Sequence, residues 1–232
     1  MTDAHCHVVR GETRHLLCEP FVGEASRLPE GKDVVFYGTH PWFLEGFDAD
    51  ALRARLERNP AAGVGEIGLD RLKDKTISPR MREIFEAQLQ LAVDFGRPVV
   101  LHGAKCWGDV VKTVQRLDPE HRIPALLFHG FSRSGGLIPD IVKLNGFISI
   151  GPAILNDHAV NYRELAKEIP EDRLLVESDA TAENTAELPS VGAIAAKLAE
   201  LRGLSPAELE EILERNIEDF LGIQSRKAED MM

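Results

Sequence analysis

Two histidines one residue apart open the chain, in Asp3-Ala4-His5-Cys6-His7. Side chains alternate along a strand, so His5 and His7 share a face while Cys6 takes the other, where it cannot join them. Two imidazoles on one face suit a divalent metal. Asp3 lies on that same face and could orient an imidazole as an acceptor behind it. On spacing alone, a pair of satisfied structural histidines is the competing reading. Further along, apolar runs end on polar groups able to bind metal or carry charge: His40 after Val34–Thr39, Glu66 after Val64, His102 after Val99–Leu101, His129 after Leu126–Phe128, and Glu177 and Asp179 after Leu174–Val176. A carboxylate as deep as Glu66 is costly unless it is paired with a buried base or bound to a cation. His102 and His129, taken singly, could each be core histidines bonded to backbone; the set together argues for convergence on one site. Asp179 could bind a metal through one oxygen and take a proton from water with the other. Glu177, two residues earlier, points to the same side but deeper, and Ser178 is expected to face the surrounding helices.

The elements that must deliver these residues are eight short, mostly apolar strands, at 2–7, 15–21, 34–40, 63–68, 98–102, 125–130, 147–151 and 173–179. Near-continuous hydrophobicity suits parallel strands buried on both faces, and helical segments between them suit an α/β fold. One stretch carries Ile84, Phe85, Leu91, Ala92 and Phe95 on a single side over 80–95. The last helix has Ser205 as N-cap, Pro206 first, Glu208 as capping-box partner, Leu209, Ile212, Leu213, Ile217 and Phe220 at helical spacing, and Gly222 as its stop. The expected architecture is a TIM-type (β/α) barrel, whose strand ends converge on one site. Its first β/α unit is abbreviated or irregular, because His7 to Thr13 is too short for a crossover helix. The second segment is therefore either a loop or an irregularly paired strand. Residues 1–222 read as a single domain and 223–232 as a polar tail.

In order, Asp3–His7, Tyr37-Gly38-Thr39-His40-Pro41-Trp42, Gly65-Glu66-Ile67-Gly68-Leu69-Asp70, Pro98–His102, Phe128-His129-Gly130-Phe131-Ser132 and Glu177-Ser178-Asp179-Ala180 resemble the signature segments of the TatD-like metal-dependent hydrolases, and the resemblance continues to Asn216–Leu221. It implies an amidohydrolase-type barrel holding two divalent metal ions (Mg²⁺, Mn²⁺ or Zn²⁺), and phosphodiester hydrolysis, often of DNA from its 3′ end. By position it implies His5, His7, Glu66 and Asp179 around one ion. Glu66 would bridge to a second ion completed by His102 and His129, and His40 would lie on the substrate side. Asp179 and Glu66 become the catalytic carboxylates. Three departures bear on substrate. After His102, where the family tends to place an Arg and an acid, this chain has Gly103-Ala104-Lys105-Cys106. The segment before the Gly-x-His-Pro motif, residues 8–33, is short. The loop Ala180–Pro189 is acidic and holds no Arg where the family commonly has one. Lys105 and Arg133 could compensate as phosphate contacts, or be solvated surface charge.

A net charge of -11 disfavours a broad basic face for nucleic acid, although bound cations would supply positive charge locally. Three scattered cysteines form no disulfide framework, and no signal or membrane-spanning segment is evident. A soluble cytoplasmic protein without an obligate protein partner is the expectation. No nucleophile elbow, phosphate loop or dinucleotide fingerprint is present, which points to water activated by metal. The leading reading is a two-metal phosphodiesterase or deoxyribonuclease. Its rivals are a metal-dependent hydrolase of a small amide, lactone or phosphate ester and, last, a non-catalytic binding barrel.

Overall fold

The computed structural model describes residues 1–11, 13–19, 31–132 and 135–223. Eight strands pair in chain order: β1 (Thr2–Cys6), β2 (Arg14–Glu19), β3 (Val34–Tyr37), β4 (Gly63–Asp70), β5 (Val99–Ala104), β6 (Leu126–Phe128), β7 (Gly146–Ile150) and β8 (Leu174–Val176). Every pairing is parallel. Among the described residues, seven α-helices flank them: α1 (Ala49–Arg58), α2 (Pro79–Phe95), α3 (Trp107–Leu117), α4 (Ile138–Lys143), α5 (Val160–Glu168), α6 (Val191–Arg202) and α7 (Pro206–Leu221). This is the expected TIM-type barrel. The seam between β8 and β1 is drawn together just beyond β8, where Asp179 N donates to His5 O at 3.1 Å and His7 N to Ala180 O at 2.8 Å.

The helices begin and end where local chemistry dictates. Ser78 caps α2 by accepting from Met81 N, with Pro79 leading, and Gly96 stops it in the left-handed conformation. Ser205 and Glu208 form the reciprocal capping box of α7, and Gly222 ends it. The amphipathic side expected for 80–95 is the buried one, through Ile84, Phe85, Leu91 and Ala92.

The first unit is an irregular strand pair, the second of the two possibilities left open by the sequence. β1 and β2 are parallel neighbours with a register shift between Asp3 and Cys6. The short connection is pinned by hydrogen bonds in place of a helix: Arg10 N donates to His15 Nε2 at 3.1 Å, and the Arg10 guanidinium donates to Leu188 O and Pro189 O. Several expected strands run too long. The third stops at Tyr37, and the last stops at Val176, so Glu177, Ser178 and Asp179 follow it. Asp179 has φ 51°, a left-handed conformation that no strand accommodates. The 223–232 tail beyond residue 223 lies outside the described residues.

The apolar interior is closed at one end by α7. Phe220 stacks on Phe36 of β3 at 5.9 Å and meets Phe147 of β7 edge-on at 5.7 Å, four strands apart in the barrel order. Asn216 of α7 donates to Leu174 O, the first residue of β8, which fixes this helix at the N-terminal end of the strands. The polar residues named above collect at the opposite end. Among the described residues, no helix is long and apolar enough to cross a membrane.

Candidate metal centre

Glu66 lies at the middle of the polar end, and its two oxygens face different partners. Oε2 is 3.4 Å from His5 Nε2 and 3.2 Å from His7 Nε2. Oε1 is 2.7 Å from His102 Nδ1 and 2.6 Å from His129 Nε2, with His40 Nε2 at 3.5 Å. Asp179 Oδ1 completes the first side, 3.4 Å from His5 Nε2 and 3.9 Å from His7 Nε2. Two irregularities in the sheet fall on these residues: the register shifts in β1 between Asp3 and Cys6, and in β4 between Val64 and Ile67. Such bulges re-aim side chains at functional sites. Gly68, at φ 156°, lets β4 come close to β5 where His102 must meet Glu66; a Cβ there would collide with the His102 backbone.

The imidazoles are oriented from behind. His7 Nδ1 donates to Cys18 O at 3.0 Å, which leaves its Nε2 lone pair toward Glu66 and Asp179. His102 Nε2 is held by Asp70 Oδ2 at 2.9 Å, which leaves Nδ1 inward. His129 Nδ1 stands 3.7 Å from Glu177 Oε1, a carboxylate fixed by Gly130 N at 2.7 Å and Ser149 Oγ at 2.5 Å. His40 differs. Its Nδ1 accepts from Trp42 N at 3.1 Å, so in the neutral ring the proton sits on Nε2, aimed at the centre as a donor. Burial pushes the His40 pKa down and keeps that ring neutral.

Charge follows the same geometry. Burial alone would raise the Glu66 pKa, but the His129 and His5 charges and the hydrogen bonds from His102 and His129 hold it well below the usual range. Burial alone would lower His129, yet Glu66 and Glu177 outweigh it and raise it to about 10. Asp70 is likewise lowered despite burial, chiefly by its bond from His102.

These donors fit divalent cations. Among the described residues, three sets offer ligand atoms within 4.8 Å of one another: His5, His7 and Asp179; His5, Glu66 and His129; and His40, Glu66 and His102. Two ligands ~2.1 Å from one ion at a tetrahedral angle are about 3.4 Å apart, close to the separations around His5 and His7. Both ring nitrogens of His5 are fully buried and lack a hydrogen-bond partner among the described residues. An uncompensated buried imidazole is costly, and a cation at Nε2 would satisfy it.

The structure thus brings His5, His7, His40, Glu66, His102, His129 and Asp179 together. Two expectations need correction. Asp3 orients no imidazole: its Oδ1 accepts from Ser178 N and His5 N, and its Oδ2 from Ser178 Oγ. Ser178 does not face the helices; it is buried against Asp3. Strict alternation fails through the β1 irregularity, and the pair stitches the seam directly beside Asp179. Cys6 is off the site, as expected, buried with its thiol toward Leu16 O. Lys105 lines a cavity of about 600 Å³ together with Arg71, Trp107, Gly130, Ser132 and Leu137. Arg133 lies outside the described residues.

Sequence reading passed over Asp70, Ser149, Arg71 and the Cys18 carbonyl. Asp70 carried a signal, being four residues beyond Glu66 along the same strand. A backbone carbonyl carries none.

The sequence model of the TatD related DNases matches residues 23–222. The chain belongs to this family. The match starts after His5 and His7, so their inclusion rests on the geometry above. Among curated proteins, Bacillus subtilis YabD, described as an uncharacterized metal-dependent hydrolase, is 29% identical over 167 residues, 69% of this chain and 64% of YabD. The human 3′-5′ RNA nuclease TATDN2 is 33% identical over 151 residues, 62% of this chain but 19% of that protein. The matched part therefore spans less than two thirds of either relative. The crystal structure of YjjV, a TatD homologue from Escherichia coli, superposes with a TM-score of 0.80 at 24% identity, covering 94% of this TatD-family chain and 96% of YjjV. That likeness establishes the shared barrel.

Proposed function

We propose that this TatD-family protein is a metal-dependent phosphodiesterase acting on nucleic acid, with residues 1–222 as its single catalytic domain and two divalent ions at its centre. The observation that carries the reading is Glu66, whose two oxygens face two separate groups of imidazoles. One ion would be held by His5, His7, Glu66 and Asp179, the other by Glu66, His102 and His129, with Mg²⁺, Mn²⁺ and Zn²⁺ all compatible with such N/O donors. When bound, the cations supply a lowered pKa for water and positive charge facing the phosphoryl oxygens.

The protein's own groups do the rest. Asp179, half-exposed at 51% while its neighbours are buried, can accept the proton of the attacking water on its outward oxygen. His40, neutral with Nε2–H pointing inward, can donate to a phosphoryl or leaving-group oxygen. Lys105 and Arg71 face the adjoining cavity and can meet the next phosphate; Arg71 is held by Asp109 at 3.0 Å. The relatives' names support the class: TATDN2 is named as a nuclease. A second reading, hydrolysis of a small amide, lactone or phosphate ester, is favoured by the acidic, Arg-free loop at 180–189.

The deciding experiment combines metal analysis with a substrate panel. The expected result is up to two divalent ions per chain and turnover of single-stranded DNA or RNA and a chromogenic phosphodiester. Amide or lactone turnover without phosphodiester turnover would select the second reading. Asp179→Asn should cost roughly 10²- to 10⁴-fold in kcat with an unchanged folding transition.

A further inference from the structure

We infer that Trp42 is the surface on which the nucleobase beside the scissile phosphate stacks. The inference rests on the phosphodiesterase reading and adds the residue through which a nucleotide, as opposed to a bare phosphodiester, is selected.

Trp42 is 43% exposed, beside Phe43 at 40%, whereas the chain's other tryptophan, Trp107, is 6% exposed. Its place is set by the site itself. Its backbone N–H donates to His40 Nδ1 at 3.1 Å, and the next residue's N–H donates to His40 O at 2.9 Å. The indole lies 5.1 Å from the His40 ring and 6.5 Å from the His102 ring. The interplanar angles are 88° and 69°, so neither imidazole covers it by parallel stacking. A rigid indole is thereby presented to solvent within one nucleotide's reach of the atoms that would hold the phosphate.

Electrostatics favours the same occupant. A chain of net charge -11 gains little from general attraction to a polyanion. Away from the cations, affinity for a single strand must come from contacts indifferent to charge, and base–aromatic stacking is the main one, tolerant of sequence because every base has a π-face. Lys105 and Arg71 come directly after the neighbouring strands β5 and β4, while Trp42 follows β3. The aromatic surface and the cationic cavity thus sit on adjacent strands of one rim, as a base and a following phosphate require.

The test uses the full chain in Mg²⁺ or Mn²⁺ with two substrates: a single-stranded oligonucleotide, and an oligomer of the same length and backbone whose residues are abasic. Trp42→Leu should lose about tenfold or more in kcat/KM on the oligonucleotide relative to its change on the abasic oligomer, and Trp42→Phe should recover most of that loss. In parallel, the oligonucleotide should quench tryptophan emission of the Asp179→Asn protein. The Trp42→Leu, Asp179→Asn double variant, left with the largely buried Trp107 in the cavity wall, should lose most of the quenching. Equal losses on both substrates, no loss on either, or no quenching would overturn the inference. If the wild type hydrolyses neither oligomer but does hydrolyse amides or lactones, the underlying phosphodiesterase reading fails instead. A wild type active on both, with Trp42→Leu indifferent, removes only the role of Trp42.

Discussion

At the N-terminal end of the strands, Phe220 fills the barrel between Phe36 and Phe147; at the other end, Glu66 sits among five imidazoles. The first end needs only volume and apolarity, and its packing lowers the free energy of the fold outright. The second buries a carboxylate among imidazoles and leaves both ring nitrogens of His5 without a hydrogen-bond partner among the described residues, an arrangement whose desolvation cost must be offset by protonated imidazoles or bound cations. Stability and chemistry are therefore lodged in different residues of the same strands, the division expected of this architecture.

That contrast can be broken most forcefully at the apolar end. Phe220→Ala should cost about 3–5 kcal/mol of folding stability, read by urea denaturation at fixed metal concentration, while metal content per folded chain stays at the wild-type value. A fall in metal content in the folded protein would show that the two ends are not independent. A smaller effect of opposite character is expected at Asp70, behind His102. Asp70→Asn should weaken metal binding roughly 10- to 100-fold, measured by titration with a competing chelator, with little change in the urea midpoint of the metal-free protein.

A further effect concerns protons. In the metal-free protein the His129 pKa is raised from 6.5 to about 10. A raised folded-state value stabilises fully below the unfolded pKa, so this contribution is present below about pH 6.5 and is lost progressively toward pH 10. The melting temperature of chelated protein should fall across that window, and the metal-loaded protein should lack this component. Metal uptake at pH 8 should also release protons, detectable by calorimetry in buffers of different ionisation enthalpy. Uptake without proton release would mean that His129 is already neutral.

Much of this molecule was legible before any coordinates. The capping box at Ser205, the stop at Gly222 and the buried side of α2 follow from local rules that tertiary packing did not override. The convergence of His5, His7, Glu66, His102, His129 and Asp179 was legible because a parallel barrel collects strand-end residues at one end. Asp3 and Ser178 were misread because the alternation rule presumes an unbroken ladder, and β1 is irregular between Asp3 and Cys6. The last strand was overestimated for a related reason: Asp179 lies beyond its end at Val176, in a left-handed conformation.

By itself, then, the sequence determined the kind of fold and the set of metal-competent side chains, since both depend on hydrophobic periodicity and residue type. The tertiary structure alone decided which nitrogen of each imidazole faces inward. That choice is made by the groups on the far side of the ring, the Cys18 carbonyl behind His7, Asp70 behind His102 and the Trp42 amide behind His40. They come from neighbouring strands or from main-chain atoms that no residue letter encodes.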